Sequence, residues 1–531
     1  MYMTAVLLKD ASAGDVSGKT VTPRDGAYSP RSHYFQAIRA AAISISASCL
    51  FFLGQLRSWT SEQNRYHYFW SFRDSHALIL AVGIVAAVIF IGWVITRIIG
   101  SRTIRRISQF IFLVFFTDAV LSGLTSLFVG AGFTAKYDWF FWTTWTVIVL
   151  FLVPFFQRLW KPAMALCLVL SPLPWILLFQ VLSWRPWNPA DRPSSALTRS
   201  VRSQQSGLSH LPPIVIFVFD EWSYERTFDG PDVRPEFIHL VDVASQSGVY
   251  HKAQSPGSAT YFSLPRLLYQ RADGELFPHH GQLFWKTSED RTLVNEQETL
   301  FDDLLQAGYQ VRVLGFYHPY EILLEGRGIQ CRSYPNDPKG DSVIAQAGLF
   351  LLANLRFLTD PLSRVTWRRW DSAFFSQHWF RLSQEFHRET FRLIDQLGPG
   401  MCLLIHWPLP HGPFILGPQG QFVEPYSPQQ DRTFGTSEQY HRHLLRLDTV
   451  IGEICDHLRR KQLFDDALII MTSDHGWRRD PDPQFREANP DHRHVPLFVK
   501  RPQQTVREDF TDPFPLIHLS EVFTQVASNP Q

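Results

Sequence analysis

The stretch Leu468-Ile-Ile-Met-Thr-Ser473-Asp474-His475-Gly476 decides the fold of this chain. Six residues that are mostly β-branched or long and apolar run without alternation into an acid, an imidazole and a glycine. An unbroken apolar run of this length is the pattern of a strand buried on both faces, as in a parallel sheet covered by helices. Immediately upstream, Tyr440, Leu444, Leu447, Ile451, Ile454 and Leu458 recur at steps of four and three over residues 437–461. That spacing predicts an amphipathic helix with one core-facing stripe, and it leaves His441 and His443 as surface residues.

Working outward, the same strand pattern recurs at 214–219, 311–315, 401–405 and 495–499, with helical patterns over 298–307 and 375–397. Alternation of such runs predicts an α/β domain with a mostly parallel, doubly covered sheet from residue 214 to the end of the chain. The first strand runs into Asp220-Glu221, the third into His406 and the fourth into Asp474-His475. Ligands in open α/β sheets gather beyond the carboxyl ends of the strands. Three strands therefore deliver acids and imidazoles to one edge. Such oxygen and nitrogen donors suit a divalent ion, Zn²⁺ or Mn²⁺ first and Ca²⁺ or Mg²⁺ next. Ser255-Pro-Gly-Ser-Ala-Thr260 then leads small residues into the start of a helix, where free amides attract anions and Thr260 can serve as a nucleophile.

The first third of the chain reads differently. Five apolar stretches, at 40–56, 77–96, 110–133, 139–156 and 162–182, approach the length needed to cross a bilayer. Trp59, Tyr68, Trp70, Trp139, Trp142, Trp160 and Trp184 cluster at their ends, as in an interfacial belt. Basic residues concentrate before the first span and in alternate loops, which predicts a cytoplasmic N-terminus and everything after residue 182 outside. The expected division is a cytoplasmic tail (1–34), a five-span membrane domain (35–184), a polar linker (185–213) and a catalytic domain (214–531). The leading 34 residues are polar and carry no apolar core of a cleaved signal peptide. Asp118 lies inside the third span, where a carboxylate either has a function or bonds to a neighbouring helix. The stretch 349–370 mixes apolar residues with arginines and tryptophans, as a headgroup-facing surface or a partly buried helix pair would. The net charge of +1 offers no field for nucleic acid, and the five cysteines form no C-x-x-C pair, although Cys331, Cys402 and Cys455 leave room for one disulfide.

These segments, in this order, resemble the alkaline phosphatase–sulfatase superfamily, and within it the membrane-anchored phosphoethanolamine transferases and lipoteichoic acid synthases. Thr260-x-x-Ser263-x-Pro265 is similar to the nucleophile loop of the transferases, Glu221 to their first acidic ligand and the run Tyr440–Gly476, ending in Met-Thr-Ser-Asp474-His475-Gly476, to their helix–strand–ligand segment. His406-Trp-Pro-Leu-Pro-His411 resembles the stretch that contacts the transferred group, and His494 opens what looks like the closing strand. The resemblance implies a metal held by Asp220, Glu221, Thr260, Asp474 and His475, with Thr260 and His411 catalytic and His406, His411 and His494 touching substrate. It implies phosphoryl or substituted-phosphoryl transfer from a membrane lipid donor to an envelope lipid or glycan acceptor. Water as acceptor makes the same site a hydrolase, and loss of chemistry makes it a binding module. Sulfatases instead carry a Cys or Ser that is converted to formylglycine. Thr260 cannot be converted, and Ser263-Leu-Pro-Arg266 lacks the residue between Pro and Arg, so sulfate-ester hydrolysis is disfavoured.

Overall fold

In the computed structural model, residues 30–113, parts of 147–183, and 211–280, 282–336, 338–352, 367–423 and 435–528 are described. Eight strands form the main sheet: β1 (Ile214–Asp220), β2 (Gly248–Tyr250), β3 (Gln310–Phe316), β4 (Gln330–Tyr334), β5 (Met401–Pro410), β6 (Leu468–Ser473), β7 (Leu497–Lys500) and β8 (Glu508–Phe510). Their spatial order is β4-β3-β5-β1-β6-β7-β2-β8. The first five in that order are parallel, and β7 runs antiparallel to β6. The expected α/β sheet is present, and β1 sits centrally with all seven residues buried.

The register explains how the chain brings its polar residues together. Ile214 aligns with both Cys402 and Leu468, so β1, β5 and β6 enter the sheet at one level. Side chains alternate between faces along a strand. Val215, Phe217, Leu403, Ile405, Ile469 and Met471 pack on one face, and Ile214, Ile216, Val218, Cys402, Leu404, Leu468 and Ile470 on the other. Continuing the even parity carries Asp220, His406 and Asp474 to the second face. That face also receives α4 (Thr260–Leu268), whose Leu264, Leu267 and Leu268 are buried in the same cluster.

The opposite face is covered by α5 (Trp367–Asp395) and α6 (Ser437–Arg460). A Thr436/Gln439 capping box starts α6, and every member of its predicted stripe is buried, from Tyr440 and Leu447 at 0% exposure to Leu444 at 2%. His443 departs from expectation. It is buried, its Nε2 accepts from the Leu416 amide at 3.2 Å, and its Nδ1 lies 3.2 Å from the Pro410 carbonyl. The segment after β5 folds back over this part of the helix and encloses the ring. Cys331, Cys402 and Cys455, which left room for one disulfide, are free thiols.

Upstream lie α1 (Pro30–Phe51), a short α2 (Glu62–His67) and α3 (Phe72–Ile99). Two described helices are long and apolar enough to span a membrane, Tyr34–Phe51 and Phe72–Ile99. On α3, Ile84, Val88, Ile91, Ile95 and Ile98 are exposed at steps of four and three. That stripe finds no protein partner among the described residues, and an apolar face of this size suits lipid better than water. Of the remaining expected spans, 110–133 and 139–156 lie almost wholly outside the described residues, as does Asp118, and the fifth is represented by the 12-residue helix Pro172–Ser183. Most of the 349–370 stretch is outside them too.

Candidate metal and nucleophile site

Thr260 is the first residue of α4, and Ala259 before it offers no side-chain cap. The first-turn amides of a helix have no partner within the helix, so they remain available to an anion. The loop leading in is tied down locally. Ser255 Oγ bonds to the carbonyls of Gly257 (2.8 Å) and of Asp474, and Arg266 reaches back to the carbonyls of Pro256 (2.9 Å) and Gly274 (3.0 Å). Arg266 thus acts as a brace for the loop. A Cβ on Gly257 would come within 2.8 Å of the Ser263 amide nitrogen, so the chain passes too close here for any larger residue.

Thr260 Oγ1 lies 3.3 Å from Asp220 Oδ1 and 3.2 Å from His475 Nε2. Asp220, Glu221, Asp474 and His475 are all 1% exposed or less, and Thr260 is 5% exposed. Asp220 extends the β1 alternation, but Glu221 breaks it with a φ of +66°, a left-handed backbone that a glutamate seldom adopts. The turned peptide is held on both sides. The Glu221 amide donates to Asp474 Oδ1 at 3.1 Å, and its carbonyl accepts the Tyr440 hydroxyl at 2.6 Å. The core stripe of α6 therefore also fixes the acid at the strand end. Backbone strain of this kind costs of order 1–3 kcal/mol and gathers at functional sites.

The acceptors outnumber the donors. His475 Nδ1 is spent on the Gly476 carbonyl at 2.8 Å, which turns Nε2 toward Thr260 Oγ1 (3.2 Å), Asp474 Oδ2 (3.4 Å) and Asp220 Oδ1 (3.8 Å). His406 Nδ1 is engaged by the Phe316 carbonyl (3.0 Å) and the Tyr320 hydroxyl (2.9 Å). Its Nε2, together with Glu221 Oε2 and Asp474 Oδ2, is buried with no hydrogen-bond partner among the described residues. Asp220, His406 and Asp474 each place a ligand atom within 4.8 Å of the others, so this group can hold a metal ion. Lone pairs converging from two imidazoles and three carboxylates repel one another unless a cation lies between them, and second-shell bonds that fix ring orientation are usual at metal sites. The residues fit a divalent ion.

The charges are shared unevenly. Burial, then Asp474, pushes the Asp220 carboxyl well above the usual range. Burial also opposes ionisation of Glu221, but His411 and Arg478 outweigh it and hold Glu221 low. Burial opposes protonation of His411, yet Asp220 and Glu221 prevail and raise its pKa. Burial lowers His475, and it lowers His406 to about 4, which keeps both rings neutral. His411 Nε2 stands 4.0 Å from Glu221 Oε2, at the open side of the group.

Sequence reasoning placed Thr260, Asp220, Glu221, Asp474, His475 and His411 together, and they are together. His406 is present, but its bare nitrogen faces the carboxylates from inside the metal group, where a substrate contact had been expected. His494 is elsewhere. Its Nδ1 pairs with Glu225 at 2.8 Å and its Nε2 contacts the His251 carbonyl at 2.9 Å, so both nitrogens are spent away from Thr260. Arg478 was missed. Its Nε binds Glu221 Oε1 at 2.8 Å, and no spacing rule links an arginine five residues beyond a strand to an acid 257 residues earlier.

A strained acid, a hydroxyl at a helix N-terminus and a set of imidazoles stand together at the rim of a parallel sheet. The chain belongs to the Sulfatase family, whose model matches residues 213–527, and so to the alkaline phosphatase–sulfatase superfamily. No curated protein matches it. Among solved structures it is similar to Ps i-CgsB in complex with k-i-k-neocarrahexaose, at 15% identity and TM-score 0.41 over 60% of this chain and 72% of that one. It is similar to a phosphonate monoester hydrolase of Agrobacterium radiobacter at 12% identity and TM-score 0.36, over 60% and 74%. It is also similar to the lipoteichoic acid synthase LtaP from Listeria monocytogenes at 12% and 0.37, over 60% and 72%.

Proposed function

We propose that this family member is a metal-dependent phosphoryl or substituted-phosphoryl transferase that works through a covalent phospho-threonine on Thr260. The observation that carries the reading is the Thr260 hydroxyl, 3.3 Å from Asp220 and 3.2 Å from His475 at a helix N-terminus beside the buried acceptors. Asp220, Glu221, Asp474 and His475 would hold the ion, with His406 completing the set. When bound, a Zn²⁺ or Mn²⁺ supplies positive charge against the phosphoryl oxygens and the attacking oxygen.

The protein groups then divide the proton work. Thr260 Oγ1 forms a bond to phosphorus as the ester P–O bond of the donor breaks. The hydroxyl proton passes to Asp220, whose Oδ1 lies 3.3 Å from Thr260 Oγ1, and His411 gives its proton to the leaving alkoxide. In the second half the acceptor hydroxyl attacks phosphorus and yields its proton to His411. The Thr260–phosphorus bond breaks, and Thr260 recovers its proton from Asp220. Positioning and charge neutralisation dominate such phosphoryl transfers.

We further infer a lipid phosphodiester as donor and an envelope lipid or glycan as acceptor, on the outer face of a multi-pass membrane anchor. The apolar stripe of α3 and the alternating basic loops support this topology. The test is to incubate the detergent-solubilised full chain with a panel of phospholipids and Mn²⁺ or Zn²⁺ and to measure intact mass. An adduct that maps to Thr260 and vanishes in Thr260→Ala is expected, and its mass identifies the transferred group. Unchanged protein and lipids across the panel would refute the transferase reading.

A further inference from the structure

The first turn of α4, which carries Thr260, is weak by its own sequence. Ala259 gives no side-chain cap, and Pro265 lacks the amide that Tyr261's carbonyl would accept in a regular helix. A nucleophile has to be held to within a fraction of an ångström, so its support comes from outside the helix. We propose that α2, the short helix Glu62–His67 between the two membrane-length helices, is a positioning element for Thr260, acting through His318. The inference rests on Thr260 being the nucleophile.

Three contacts carry it. His318 Nε2–H donates to the Thr260 carbonyl at 3.1 Å, and its Nδ1 stands 3.5 Å from the Tyr66 hydroxyl, which points it toward α2. Burial, then His67, lowers His318 to about 3, so the ring stays neutral with this one donor and one acceptor. Next to Thr260, the Tyr261 hydroxyl donates to the Leu276 carbonyl at 2.8 Å and accepts from the Gln63 amide, while the His67 ring packs against Tyr261 with centroids 5.0 Å apart. Finally, Tyr66 is 3% exposed and belongs to the catalytic domain's own core cluster, beside Leu264, Leu268 and Tyr320.

The helix that reaches in is itself pinned. Ser61 caps α2, and the Ser71/Asp74 capping box starts α3 directly after it. Asp74 also pairs with Lys339 of the catalytic domain at 2.9 Å. α3 and the nucleophile are thus joined by a short path: residues 68–71 connect α3 to α2, Tyr66 of α2 stands against His318, and His318 donates to the Thr260 carbonyl. Family membership supplies the fold of the site, whereas this link depends on residues 61–74, which lie outside the matched span.

The test uses the full chain in detergent with bis(4-nitrophenyl) phosphate and Mn²⁺. Nitrophenolate release and the Thr260 adduct mass are followed before steady state. Misplacing a reacting group by about 1 Å can cost on the order of 10²-fold in rate, so His318→Phe should slow adduct formation by roughly 10- to 100-fold. KM for the probe, bound metal and melting temperature should stay near wild type. His318→Gln, which keeps an N–H able to reach the carbonyl, should recover most of the rate. Tyr66→Phe, which keeps the shape and loses only the hydroxyl, should slow the adduct several-fold. Wild-type adduct rates in His318→Phe or in Tyr66→Phe overturn the link, and so does a Gln variant as slow as Phe. If the wild type itself forms no Thr260 adduct, the nucleophile reading falls and takes the inference with it. If the wild type forms it and the variants match, only the inference falls.

Discussion

Asp474→Asn separates a metal site from an ordinary buried carboxylate, because the two readings predict opposite stability ranks. Asp474 Oδ1 accepts two backbone amides, from Glu221 at 3.1 Å and His475 at 2.8 Å, while Oδ2 is buried with no hydrogen-bond partner among the described residues. Asparagine is nearly isosteric. Its carbonyl keeps both amide bonds, and its NH₂ replaces Oδ2 opposite His475 Nε2, 3.4 Å away. Without metal, an unsatisfied buried acceptor costs roughly 1–3 kcal/mol, more if charged, and the variant removes that cost. At about 2–4 °C per kcal/mol, the variant should melt roughly 2–12 °C above wild type in EDTA. With metal the order reverses. An ion at 100 times its dissociation constant stabilises wild type by about 2.7 kcal/mol, and the variant forfeits most of that gain. The assay is thermal unfolding of both proteins in EDTA and in excess Mn²⁺ or Zn²⁺. A variant that is less stable than wild type in EDTA, yet gains the same melting shift from metal, would refute the reasoning.

Two further outcomes test the surroundings. His494 is raised despite burial, by its hydrogen bond and charge attraction to Glu225. A raised folded-state pKa adds stability that is complete below the unfolded value of about 6.5 and is lost as pH rises through the folded pKa. Wild type should therefore lose stability relative to Glu225→Gln as pH climbs from 6 through 8, read by urea unfolding at each pH, and parallel profiles would contradict the pairing. On α6, Leu447 is 0% exposed within the stripe, so Leu447→Ala should destabilise by about 2–5 kcal/mol in the same assay. A loss below about 0.5 kcal/mol, the size of a surface change, would contradict its place in the core.

The strands that carry the site were legible because each is a long apolar run that needs burial on both faces, and each ends in a residue that such a run cannot keep inside. The parity that groups Asp220, His406 and Asp474 is already written in the even numbering of those runs once the register is known. Register itself was not legible, since it arises from pairing across hundreds of residues. Strands 248–250, 330–334 and 508–510 were invisible for a different reason. Three residues give no periodicity, and Gln-Cys-Arg-Ser-Tyr has no apolar run. His406 was expected to touch substrate through the resemblance of its stretch to one that contacts the transferred group, whereas β5 continues to Pro410 and keeps the ring within the sheet's alternation. His443 was misread because a stripe defines only the face toward one layer. The returning 410–416 segment supplied a second covering that no helical wheel contains.

The site also departs from the stability rules that the rest of the domain follows, and the departures share one place. Glu221 is held left-handed, Asp474 and Glu221 each bury a bare oxygen, and Thr260 begins a helix with no side-chain cap. Each feature costs on the order of 1–3 kcal/mol in an isolated protein. None lies in the two core clusters that flank the sheet, where apolar burial is complete. A sheet rim can carry such local costs because the strands beneath it are fixed by packing on both faces. On the proposed function, what the rim lacks comes from partners that arrive from elsewhere: a cation for the carboxylates, an anion for the helix amides, and Tyr66 and Gln63 for the nucleophile turn. The proposal therefore predicts a site that is best ordered when ion, substrate and anchor are all in place.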